Sequence, residues 1–117
     1  MLLSEICKIL EADLIDDVKS LDKEIKMACG SDLMSDVLAF IKADALLLTG
    51  LINPQVVRTA EMAGIAAICF VRGKQPQNET IKLANEKEIP LLATTIPMYE
   101  ACGRLYKRGL QGCDEIK

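Results

Sequence analysis

Between Ala45 and Arg58 the chain reads Ala-Leu-Leu-Leu-Thr-Gly-Leu-Ile-Asn-Pro-Gln-Val-Val-Arg, and this stretch constrains the fold more than any other. The apolar run does not alternate with polar residues, so it suits a strand covered on both faces. Thr49-Gly50 then ends the strand. Asn53 is placed to cap a helix over Pro54–Ala63, and Pro54 suits its first turn, where a missing amide hydrogen costs nothing. A doubly covered strand leading into an amphipathic helix is the repeating unit of a parallel sheet sandwiched between helices.

The same unit recurs downstream. Ile65–Val71 reads as a strand rich in β-branched residues between Gly64 and Gly73, and Asn78–Glu88 as a helix with Thr80, Ile81, Leu83 and Ala84 inward. Pro90–Thr94 predicts a strand, and Pro97–Lys107 a helix closed by Gly109. Upstream, Ser4–Glu11 predicts a short helix with Ser4 as its cap, and Ala12–Ile15 a brief strand before an acidic turn at Asp16-Asp17. Ile25, Met27 and Cys29 alternate, so Lys23–Cys29 predicts a strand with these three on one face, ending at Gly30-Ser31-Asp32. Leu33, Met34, Val37, Leu38 and Ile41 recur at helical spacing, which predicts a helix over Asp32–Lys42. The expectation is one α/β domain over residues 1–117, a three-layer α/β/α sandwich with a largely parallel sheet, right-handed crossovers and a loose tail at 110–117.

Composition removes several classes of function. A net charge of −3, with Lys and Arg scattered among Asp and Glu, leaves no electrostatic footprint for nucleic acid. Two Phe, two Tyr and no Trp leave no stacking platform for single strands. The longest apolar runs are strand-length, too short for a membrane span, and the first residues lack a secretion signal, so a cytoplasmic protein is expected. Histidine is absent, which removes imidazole catalysis and histidine metal ligation. The five cysteines form no Cys-x-x-Cys pair and read as reduced, mostly buried thiols. No metal site, cofactor or catalytic set is expected.

In an open parallel sheet, ligands favour the crevice beyond the carboxyl ends of the strands. There the sequence places Thr49, Gly50 and Asn53, then Arg72, Gly73 and Lys74, then Thr94 and Thr95, with Ser31 and Asp32 as secondary candidates. Hydroxyls, two cations and glycines beside helix starts suit an anion or a nucleotide phosphate. The same residues also suit ordinary strand exits and helix starts. A phosphate-loop enzyme is excluded, since the required glycine is replaced by Ile68 and the required Ser or Thr by Gln75. Apolar positions on the first helix (Leu2, Leu3, Ile6) or around Tyr99 and Tyr106 would, if exposed, favour docking on another protein.

Several segments together resemble DRTGG domains. They are Gly30–Leu38, Leu48–Met62, Phe70–Pro76, Ile89–Leu92 and Tyr99–Lys107, although the literal Asp-Arg-Thr-Gly-Gly pentapeptide does not occur. The likeness covers nearly the whole chain. It implies the α/β/α fold of the N-terminal domain of HPr kinase/phosphorylase, similar to the UDP-holding first domain of the UDP-muramoyl peptide ligases. It also implies a regulatory rather than catalytic role, because the kinase's phosphate loop lies in another domain. In regulated pyrophosphatases such a domain sits between CBS modules and helps form a dimer. The expectation is therefore a non-enzymatic, homodimeric sensor of a nucleotide or anion, or else a protein-docking scaffold with no small ligand.

Overall fold

The computed structural model describes residues 1–15 and 21–113. The elements run α1 (Leu3–Leu10), β1 (Asp13–Leu14), β2 (Met27–Gly30), α2 (Met34–Phe40), β3 (Ala45–Thr49), α3 (Pro54–Ala63), β4 (Ala67–Phe70), α4 (Asn78–Glu86), β5 (Leu91–Ala93) and α5 (Met98–Lys107). The five strands form one sheet in the order β1-β5-β4-β3-β2. β2 to β5 are mutually parallel, and β1 is antiparallel to β5. The acidic turn expected at Asp16-Asp17 lies outside the described residues.

Helices cover both faces, and alternate strand residues sort the core accordingly. Ala45, Leu47, Ile68, Phe70 and Leu91 face α2, α3 and α4 through Val37, Val56, Val57, Ala60 and Ala84. Leu46, Leu48, Ala67, Cys69 and Leu92 face α1 and α5 through Leu3, Ile6, Leu10, Ala101 and Leu105. β3 and β4 are buried along their whole length, as a non-alternating apolar strand requires. This is the three-layer α/β/α architecture that the sequence pattern predicts.

α3 follows its sequence signals closely. Asn53 Oδ1 accepts the Gln55 amide at 3.0 Å, Pro54 fills the first helical position, and Gly64 ends the helix at φ 71°. Other boundaries depart from expectation for identifiable reasons. α1 begins at Leu3, with Glu5 rather than Ser4 closing its start by accepting the Leu2 amide at 3.2 Å. Ile25 does not share a face with Met27 and Cys29. Its amide donates to Met1 O at 2.7 Å and its side chain packs under α1, whereas Met27 and Cys29 pack on the opposite face. The segment before Lys26 thus follows the N-terminus, and the strand along β3 starts only at Met27.

Asp32 lies outside α2, drawn across to β3. The tail is not loose through residue 113: Gln111 O accepts the Ala28 amide at 2.9 Å, Gly112 bridges Ala28, and Leu110 and Cys113 are buried. Among the described residues no helix is long and apolar enough to cross a membrane.

Candidate functional site

Because β2 to β5 are parallel, their carboxyl ends share one edge of the sheet, and the predicted residues gather there. Several of their polar atoms are already committed to holding the loops. Thr49 Oγ1 donates to Asp32 Oδ1 at 2.9 Å, the Gly50 amide donates to the same oxygen at 2.7 Å, and the Leu51 amide returns to Thr49 Oγ1 at 3.2 Å. Thr94, buried on the opposite face, donates to Leu10 O at 2.6 Å and accepts the Ile96 amide at 3.2 Å. Ser31 Oγ accepts the Leu33 amide at 3.1 Å, and Asn53 caps α3. These groups position the edge and have little capacity left for a ligand.

Arg72, Lys74 and Thr95 differ. Their side chains are exposed and make no hydrogen bond or ion pair among the described residues. Some cations elsewhere are neutralised, such as Lys26 by Asp44, Lys87 by Glu61, and Arg104 by Glu11 and Glu100, while others, Lys107 among them, have no ion pair among the described residues. Arg72 and Gly73 occupy successive left-handed conformations, φ 58° and 73°. A side chain at such a φ costs on the order of 1 kcal/mol. Gly73 avoids that cost, and for Arg72 the turn is held by its own amide donating to Ile96 O (3.0 Å) and that of Gly73 donating to Thr94 O (2.9 Å). The β5–α5 loop thereby aims two unpaired cations outward from the carboxyl edge.

Between α5 and the outer side of β2 lies a groove that no sequence motif announces. It has a volume of about 450 Å³ and is lined by Gly30, Leu48, Tyr99, Cys102, Tyr106 and Leu110, among others. Tyr99 is 92% exposed and Tyr106 61% exposed, whereas Leu3 and Ile6 of the first helix are buried. The available signal was the stripe Tyr99, Gly103, Tyr106 at positions i, i+4 and i+7, with glycine where a helix disfavours it. Gly30 lets α5 approach: a Cβ there would lie 2.8 Å from Cys102 Sγ.

The thiols of Cys7, Cys69 and Cys102 are poor candidates for chemistry. Burial, with smaller contributions from the nearby Cys7 and Cys102, pushes the Cys69 thiol up to about 12. Burial also raises Cys7, assisted by Asp13, and Cys102. Thiols held protonated at neutral pH are weak nucleophiles and weak metal ligands.

The family model for the DRTGG domain matches residues 5–107. The chain belongs to the DRTGG family. Among solved structures, this DRTGG domain is similar to the CBS and DRTGG domains of the regulatory region of Clostridium perfringens pyrophosphatase, complexed with its activator diadenosine tetraphosphate. The two share 14% identity with a TM-score of 0.66, over 88% of this chain and 45% of that one. At that identity the likeness is one of fold, and the DRTGG domain spans less than half of the clostridial chain. The comparison with curated proteins gave no match.

Proposed function

We propose that this DRTGG domain is a non-enzymatic regulatory module that senses a small anion, a nucleotide or another phosphate compound, at the carboxyl edge of its sheet, and that it works as a cytoplasmic homodimer. The observation that carries the reading is the turn holding Arg72 and Lys74: two cations without a partner among the described residues, on a backbone braced from the next loop. The braced backbone fixes where the two cations start, and charge-assisted hydrogen bonds from them to an anion are among the stronger kind. The likeness to a pyrophosphatase's regulatory region and the absence of histidine support regulation over catalysis. Five free thiols suit a reducing compartment.

The test is a thermal-shift screen of nucleotides, UDP-sugars and inorganic phosphates, with molecular mass recorded alongside. A ligand at 100 times its dissociation constant adds about 2.7 kcal/mol of stability, and Arg72→Ala/Lys74→Ala removes that gain. An unchanged response in the double variant would reject the site.

A second reading, a docking scaffold without a small ligand, is favoured by one observation. Leu33, Leu38 and Phe40, on and just before α2, are exposed large apolar side chains. A flat screen from a stable dimer would select it.

A further inference from the structure

We infer that the groove between α5 and the outer edge of β2 is a binding site for the base of a purine nucleoside or nucleotide. The inference rests on the sensing role proposed above but places the base away from the Arg72 turn.

Its volume, about 450 Å³, falls within the range of roughly 300–1,000 Å³ that small-molecule sites occupy. Its floor is apolar and rigid, since Leu48, Leu105 and Leu110 belong to the packed core. Both tyrosines of the chain line it. An aromatic ring as exposed as Tyr99 contributes little to the fold, and it offers a face on which a flat heterocycle can stack. Tyr99 and Tyr106 are seven residues apart on one helix, about 10.5 Å along its axis. Gly103 stands between them, inside the helix, where glycine costs roughly 0.5–1 kcal/mol relative to alanine. A Cβ added there would meet nothing within 4 Å, so packing within the fold does not require this glycine. It leaves a notch between the two rings, long enough for a fused bicyclic base.

The strand edge supplies the hydrogen-bonding side. Ser31 donates to Leu48 O, so by the alternation of a parallel ladder the N–H and C=O of Gly30 turn away from β3. The preceding outward-facing amide, that of Ala28, is taken by Gln111 O, whereas that of Gly30 has no partner among the described residues. A donor beside an acceptor on one rigid residue complements the N1 and six-position edge of a purine. Lys107, exposed on the groove's rim and without an ion pair among the described residues, is placed to meet a phosphate.

The test uses the two tyrosines as reporters. Adenosine and then AMP are titrated into the full chain while proton NMR follows the tyrosine ring resonances. The expected result is saturable upfield shifts of both rings, with AMP binding more tightly than adenosine. A Cβ at position 103 meets nothing within 4 Å and leucine favours the helix, so Gly103→Leu, which occupies the notch, should bind about tenfold more weakly with no loss of melting temperature. The shifts should persist for adenosine in Arg72→Ala/Lys74→Ala. Three results would overturn the inference: binding unaltered in Gly103→Leu, ring shifts that follow protein dilution and mark a second copy in the groove, or unmoved rings. Unmoved rings in a protein that nucleotides still stabilise would remove the groove and leave the sensing role standing. Unmoved rings with no stabilisation by any compound would remove both.

Discussion

Thr49 donates its hydroxyl to Asp32 across 2.9 Å, tying the end of β3 to the loop that leaves β2. The same carboxylate oxygen accepts the Gly50 amide at 2.7 Å, so one side chain holds together two strands at the point where they part. Asp32→Ala leaves a hydroxyl and an amide without their acceptor and is expected to lower stability by about 1.5–3 kcal/mol. The check is urea unfolding, with a lower midpoint and an unchanged slope. Thr49→Val should lower stability as well, since it removes the donor to Asp32 and the acceptor of the Leu51 amide while Gly50 keeps its partner. Equal midpoints for the parent and Asp32→Ala would show that the bond contributes nothing net.

Gly30 and Cys102 are coupled by space rather than by a bond. An alanine Cβ at position 30 would meet Cys102 Sγ at 2.8 Å and Met98 Sδ at 3.3 Å. Gly30→Ala is therefore expected to cost about 1–3 kcal/mol through overpacking. Cys102→Ala in the same chain removes the closer atom and should recover most of that loss. Thermal unfolding of the single and double variants measures the coupling, and strictly additive effects would contradict it.

The buried Cys69 thiol gives stability a dependence on alkaline pH. Up to the ordinary thiol value of 9.0 both the folded and the unfolded chain keep the proton; between there and about 12 only the unfolded chain releases it. The unfolded state then binds fewer protons, so stability falls as pH rises, by about 1.4 kcal/mol per pH unit for this one group. Cys69→Ala should start less stable but lose less between pH 9 and 10. Parallel curves for the two proteins would place the thiol's titration elsewhere.

The sequence carried much of this architecture because its strand–helix units signal themselves locally. Ala45–Thr49 and Pro54–Ala63 match to the residue, since a wholly apolar strand and an Asn-Pro start with a glycine stop admit little else. Where a partner lies far away in the chain, the local pattern was silent or misleading. Ile25 alternates correctly with Met27, yet a carbonyl of the first residue captures its amide. Asp32 sits at the head of a helical pattern, but a hydroxyl 17 residues away draws it out. The same limit governs the candidate site. Periodicity and parallel order brought its residues to one edge, but whether Thr49 and Thr94 were free for a ligand depended on Asp32 and Leu10. The groove was harder still to foresee, because it exists only where α5 crosses to β2.

The order of the strands also bears on how the molecule comes together during synthesis. β2, β3, β4 and β5 lie side by side in the order in which they are made, and the helices between them cover one face as each unit is completed. The opposite face needs α1, from the start of the chain, and α5, from near its end, joined by contacts such as that of Thr94 with Leu10. The face built on α1 and α5 is therefore the last to be completed, and it closes only after Lys107 has emerged from the ribosome.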